Sequence, residues 1–215
     1  LPEGLSLHRS MQLGTAGLTA ALAIDVIAAA GITPSSGPVL VTGATGGVGL
    51  LSVAILGRLG FEVVASTGKS DRHDLLRQHG AATVIDREEV LDPGEGPLGS
   101  GRWAAAVDSV GGDTLATIVR TLQPRGCVAA CGLVGGTELP LTVYPFLLRG
   151  VTLAGIDSAS CPRQQRIELW QRLAGDWSPG ELDGATRDTR LDEIDGLITL
   201  MQAGEHVGRS VVQIG

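Results

Sequence analysis

Residues 38–49 read Pro38-Val39-Leu40-Val41-Thr42-Gly43-Ala44-Thr45-Gly46-Gly47-Val48-Gly49, an apolar β-branched run that passes directly into a cluster of glycines. The run predicts a strand over 38–42, and residues 48–59 carry helical composition that stops at Gly60. In a strand, glycine turn, helix arrangement the glycines let the backbone fold sharply and let an anion approach main-chain N–H groups. The helix N-terminus adds partial positive charge behind them. The last glycine lets helix and strand pack closely.

The same unit recurs along the chain. A strand over 62–65, a helix over 71–79 closed by Gly80 and a strand over 83–85 follow the first unit. After a Pro- and Gly-rich loop over 92–101 come a strand at 103–107, a helix at 113–122, a strand at 126–131, a helix at 143–149 and a strand at 151–156. Strands that alternate with helices lie parallel with right-handed crossovers, so the expected fold class is α/β, a Rossmann-type doubly wound parallel six-stranded sheet. Burial on both faces explains strands without polar alternation. Upstream, the Ala-, Leu- and Ile-rich segment 11–30 reads as a mostly buried helix stopped by Gly31. Downstream, 162–174 reads as an amphipathic helix bearing Trp170, 176–188 as a polar turn-rich segment and 191–203 as a last helix. The run 208–214 reads as a terminal strand with no partner among the six, expected to pair with a sheet outside this chain.

The chain has 215 residues, 43% hydrophobic and 18% charged, the composition of one folded core rather than a disordered segment. Its formal net charge of −7 argues against nucleic acid as a partner, since that affinity rests on clustered Lys and Arg. Cys127, Cys131 and Cys161 lack the paired spacing of a metal site or disulfide framework, and Cys127 and Cys131 share one strand face as small buried hydrophobes. No metal is expected, and reduced thiols fit a cytoplasmic protein. The uninterrupted run of roughly 18 apolar residues expected of a membrane helix is missing, as are the marks of a signal peptide, so a soluble protein without a membrane partner is expected. The first residue, Leu1, is not a methionine, which leads to the expectation of a preceding segment.

A glycine turn alone is a weak signal, but between a strand and a helix within repeated units it predicts dinucleotide binding, with Thr45, Gly46, Gly47 and Val48 at the pyrophosphate. NAD-selective sites carry an acid at the end of the second strand for the ribose 2′-hydroxyl. Here Ser66, Thr67, Gly68 and Lys69 stand at that place, and hydroxyls with one ammonium suit a 2′-phosphate. The expected cofactor is therefore NADPH. Lys69, the single lysine, is otherwise a solvated loop residue; Arg72 and Arg87 are further cations readable either way. Short-chain dehydrogenases share the glycine pattern but use a tyrosine with a lysine four residues later, and Tyr144 is followed at that distance by Leu148.

The chain resembles the medium-chain dehydrogenase/reductases, in particular the zinc-independent quinone oxidoreductase branch that includes acryloyl-CoA reductases. The resemblance rests on Leu13-Gly14-Thr15-Ala16-Gly17-Leu18-Thr19-Ala20, the glycine loop, Ala65-Ser66-Thr67-Gly68-Lys69, Asp108-Ser109-Val110-Gly111-Gly112, Pro145-Phe146-Leu147-Leu148-Arg149-Gly150-Val151 and Gly155-Ile156-Asp157-Ser158. It implies an NADPH-dependent oxidoreductase that delivers hydride to the activated C=C bond of an enoyl-CoA or a quinone, and a homodimer paired along the sixth strand. It also implies that Gly132, Leu133, Ile156, Asp157 and Ser158 line the nicotinamide pocket, at strand carboxyl ends. Ser109 and Asp157 are alternatively local loop caps. Arg149 reads either as a phosphate contact or as a surface ion pair. Family members begin with a GroES-like catalytic domain. The resemblance thus divides the chain into its tail and a connecting helix (1–30), the NADPH-binding domain (31–160) and returning helices and strand (161–215). The chain alone is then expected to be inactive, with no catalytic residue assigned. A non-catalytic NADPH-sensing module is the alternative.

Overall fold

The computed structural model describes residues 1–91, 94 and 96–214, so Asp92, Pro93 and Glu95 of the loop expected over 92–101 lie outside the described residues. Six strands form one parallel sheet: β1 (Val39–Val41), β2 (Val63–Thr67), β3 (Thr83–Asp86), β4 (Trp103–Asp108), β5 (Leu122–Ala130) and β6 (Thr152–Gly155). Their order is β3-β2-β1-β4-β5-β6, the doubly wound arrangement expected. The order reverses at β1, which pairs Val41 with Ala65 of β2 on one side and with Val107 of β4 on the other.

The period of two along each strand divides the core between the faces. Val39, Val41, Val63, Ala65, Ala105, Val107, Cys127 and Ala129 pack with α1 (Leu7–Ala29), α2 (Gly47–Arg58) and α6 (Arg163–Ala174). Leu40, Val64, Ala106 and Val128 point the other way, onto Leu115, Ile118 and Val119 of α4 (Gly112–Thr121). Between β2 and β3 the chain makes a 3₁₀ turn, Ser70–Arg72, and the short α3 (His73–Gln78), and α5 (Tyr144–Arg149) precedes β6. By length and hydropathy α1 matches a membrane-spanning helix, but 61% of its apolar window is buried within the fold, where it packs as a core helix. Its chain direction changes at Gly14, whose φ of 52° and ψ of −150° break the helical path.

Three expectations require correction. The terminal strand β8 (Arg209–Gln213) has its partner within the chain: β7 (Thr186–Arg190) pairs with it in parallel, joined through α7 (Ile194–Gln202). Residues 176–188 gave no strand signal because only Thr189 of β7 is buried, and Arg187, Asp188 and Arg190 are hydrophilic. β5 begins at Leu122 rather than at 126, because Leu122 pairs with Trp103 before a register shift leads to Cys127 opposite Ala105. Arg149 forms no ion pair among the described residues: its guanidinium donates to the carbonyls of Arg120 (3.0 Å), Leu122 (2.8 Å) and Gly99. It satisfies acceptors at the C-terminal end of α4, where a cation also suits the helix dipole.

Candidate functional site

At the reversal of strand order the carboxyl ends of β1, β2 and β4 open into a cleft of about 710 Å³. Gly43 leaves β1 at φ 56°, a conformation that favours glycine. Gly46 is the N-cap of α2 and has no side chain to occupy the helix terminus, so the first-turn N–H groups lack a side-chain cap. Gly49 has a steric reason: a Cβ there would lie 2.3 Å from the Gly43 carbonyl oxygen. The loop is supported from β4. The buried Asp108 carboxylate accepts from Thr42 Oγ1 (2.6 Å) and from the N–H groups of Gly111 (2.8 Å) and Val110 (3.3 Å). Burial pushes this carboxyl up from its ordinary range, and the three donors pull it back. Ser109 caps locally: its hydroxyl donates to the Thr42 carbonyl and its N–H to Thr42 Oγ1, both at 3.1 Å.

Thr45, Gly46, Gly47, Val48, Ser66, Thr67, Lys69 and Arg87, all expected from the sequence, line this cleft together. Ser66 and Thr67 are buried at the end of β2, where the Thr67 and Thr45 hydroxyls meet at 3.2 Å. The Lys69 N–H donates to Thr67 Oγ1 at 3.1 Å, and its ammonium donates to the His206 carbonyl at 2.7 Å. Burial first, then the neighbouring Arg72, holds the ammonium below its ordinary range, while Asp71 and Glu205 oppose this. Arg87 passes beside Gly68, where a Cβ would come within 3.2 Å of its Cδ and Nε, and it pairs with Glu88 at 2.9 Å. Arg72 instead pairs with Asp71 at 2.9 Å and does not line the cleft.

The remaining expected residues sit at the β5 and β6 side of the carboxyl edge, outside the residues that line the cleft. Gly132 allows β4 and β5 to converge, since a Cβ there would lie 2.3 Å from the Ser109 carbonyl oxygen. Leu133 is exposed and Ile156 packs against the α1 face of the core. Asp157 accepts the Ser160 N–H at 3.0 Å, a local cap that holds its carboxyl below the ordinary range, and the Ser158 carbonyl accepts from Arg166 at 3.1 Å.

Sequence reasoning missed Gly204 and His206, which also line the cleft, and Arg209 beside it. Arg209 Nε donates to the Gln12 carbonyl at 2.9 Å, and a Cβ on Gly47 would come within 3.1 Å of its Nη1, so a cation stands at the N-terminus of α2. A cation there is opposed by the helix dipole. The only sequence signal for this segment is the pair Gly204 and Gly208, with φ of 71° and 65°, which bracket a turn before the last strand.

The described residues gather no group of three His, Cys, Asp or Glu that could hold a metal ion, so no metal chemistry is derived from them. A family model described as zinc-binding dehydrogenase matches residues 47–175. Acrylyl-CoA reductase AcuI of Ruegeria pomeroyi is 45% identical over 214 residues, 100% of this chain and 65% of the relative. Two crystal structures match at TM-scores of 0.95 and 0.96: Escherichia coli K-12 YhdH with bound NADPH, 40% identical, and Bacillus subtilis YhfP with NAD bound, 45% identical. All of this chain is covered in both, against 66% and 65% of theirs. The chain thus spans about 65% of the length of the curated relatives it matches. The strand order, the glycine loop at its reversal and these matches agree that the chain belongs to the zinc-binding dehydrogenase family, within the medium-chain dehydrogenase/reductase superfamily.

Proposed function

We propose that this chain is the NADPH-binding portion of a reductase that adds hydride to the activated C=C bond of a small enoyl-CoA ester or a quinone. The observation that carries the reading is the convergence of the glycine loop, the Thr67 hydroxyl and the Lys69 ammonium on one cleft. The residues fit the cofactor's charges. N–H groups at the start of α2 receive the pyrophosphate, and Ser66, Thr67, Lys69 and Arg87 receive the 2′-phosphate. Gly132, Leu133, Ile156, Asp157 and Ser158 are proposed to align the nicotinamide at the β5 and β6 ends. The bound cofactor supplies the hydride, and the thioester or ketone carbonyl already polarises the alkene. The protein's part is to orient the two and exclude water. No enolate-stabilising or proton-donating group is assigned within this chain. In this reading 1–30 is the connecting segment, 31–160 holds the cofactor and 161–215 returns.

We place the protein in the cytoplasm and pair it as a homodimer along β6, an edge strand flanked by the exposed Val143, Tyr144, Leu147 and Leu148. A monomer by sedimentation would remove the dimer. The activity is tested by following NADPH oxidation with the natural full-length protein and acryloyl-CoA or short quinones. Turnover with one of these is expected, and none across both classes refutes the reading.

A further inference from the structure

The C-terminal turn is joined to the cofactor cleft by a closed circuit of hydrogen bonds. The Thr45 carbonyl in the glycine loop accepts the Gly208 N–H at 2.8 Å. Thr45 and Thr67 meet through their hydroxyls at 3.2 Å, Thr67 Oγ1 accepts the Lys69 N–H at 3.1 Å, and the Lys69 ammonium donates to the His206 carbonyl at 2.7 Å. Only Val207 separates His206 from Gly208, so the circuit closes on itself. We infer that residues 204–208 form a wall of the pocket for the phosphomonoester on the cofactor's adenosine ribose, and that their docking sets the preference for a phosphorylated cofactor. This rests on the NADPH reading and adds a segment to it that the glycine loop and the β2 end do not contain.

Three features make the turn more than a neighbour. First, an ammonium has three donors. The His206 carbonyl takes one and fixes the direction of the others without neutralising the charge, as a carboxylate would. A flexible four-carbon side chain is thereby ordered before the ligand arrives, which lowers the entropy lost on binding. Second, Lys69 and Arg87 line the cleft together with the turn, against the carboxylate of Glu88, which Arg87 pairs at 2.9 Å. In a chain of net charge −7 this local excess of positive charge suits a phosphate dianion. Third, the turn is held from behind. A Cβ on Gly208 would lie 2.0 Å from the Ala185 carbonyl oxygen, which also accepts the Arg209 N–H at 2.8 Å as β8 joins β7. Gly208→Ala therefore pushes the turn away from β7, breaks the bond to Thr45 and carries the His206 carbonyl away from Lys69.

The test is calorimetric titration with 2′,5′-ADP and with 5′-AMP, fragments that differ in one ribose phosphate, on wild type, Gly208→Ala and Lys69→Gln. Wild type is expected to bind 2′,5′-ADP about tenfold more tightly or better, as a charge-assisted contact provides. Both variants are expected to lose most of that ratio. A folded Gly208→Ala that keeps the wild-type ratio while Lys69→Gln loses it overturns the inference and leaves the Lys69 reading standing. A wild type with no preference overturns both. If Gly208→Ala does not fold, hydrogen exchange on wild type decides. Peptides covering 204–213 should be protected more by 2′,5′-ADP than by 5′-AMP, and equal protection overturns the inference.

Discussion

Replacing Gly49 by alanine should damage both stability and cofactor binding, although alanine is the better helix former. The added Cβ would lie 2.3 Å from the Gly43 carbonyl oxygen and 2.8 Å from both Gly43 C and Ala44 Cα, all backbone atoms. Relief needs a separation of roughly 1 Å, which brings carbon contacts toward van der Waals range. The glycine loop resists this, because Gly43 is packed on Ser109 and its carbonyl accepts the Gly46 N–H at 2.9 Å. Overpacking of this kind costs about 1–3 kcal/mol, and loss of the Gly46 bond adds about 1 kcal/mol. Better helix propensity returns about 0.5–1 kcal/mol, leaving a net loss of about 1–3.5 kcal/mol. The matched control is Gly196→Ala in α7, where a Cβ meets nothing within 4 Å. Propensity acts there alone and should stabilise by about 0.5–1 kcal/mol. Urea denaturation reads both, and fluorescence titration should show Gly49→Ala weakening NADPH at least about tenfold, equivalent to about 1.4 kcal/mol. If Gly49→Ala matched Gly196→Ala in both stability and affinity, the steric reasoning about the loop would be wrong.

Arg149→Met should destabilise by about 2–3 kcal/mol, because three carbonyls lose a charged donor, and should leave NADPH affinity unchanged; urea midpoints and titration check the two halves. A second outcome concerns pH. His206 is held below its ordinary 6.5 by burial, then by Lys69, Arg209 and Arg187, so the folded state binds fewer protons than the unfolded chain under mildly acidic conditions. Its contribution is present above that ordinary value and is lost as pH falls through the folded value. Stability from neutral pH downward should therefore fall less steeply in His206→Gln than in wild type, measured by denaturation at a series of pH values.

Much of the architecture was legible because burial on both sheet faces leaves apolar strand runs, and because Gly60 and Gly80 mark helix ends. The glycine loop and the Ser66 to Lys69 stretch were legible because their positions after β1 and β2 follow from chain order alone. What escaped depends on contacts distant in sequence. β7 has one buried side chain, so no alternation reveals it. His206 reaches the cleft through a backbone carbonyl, which no residue type announces, and Arg209 meets the glycine loop only because β8 returns beside it. Arg149 looked like a ligand or ion-pair residue because a guanidinium suits anions; its carbonyl partners lie 27 to 50 residues away in the chain. Asp108 stood within a family-like stretch, but its role follows from Thr42, 66 residues earlier.

Whether this cleft binds a dinucleotide and selects its ribose phosphate through Lys69 is decided by parallel titrations of NADPH and NADH into wild type and Lys69→Gln. Wild type should bind NADPH about tenfold more tightly than NADH, or better. That preference should collapse in Lys69→Gln while NADH affinity is kept. Equal affinities in wild type, or a preference that survives in Lys69→Gln, would contradict the assignment of the cleft.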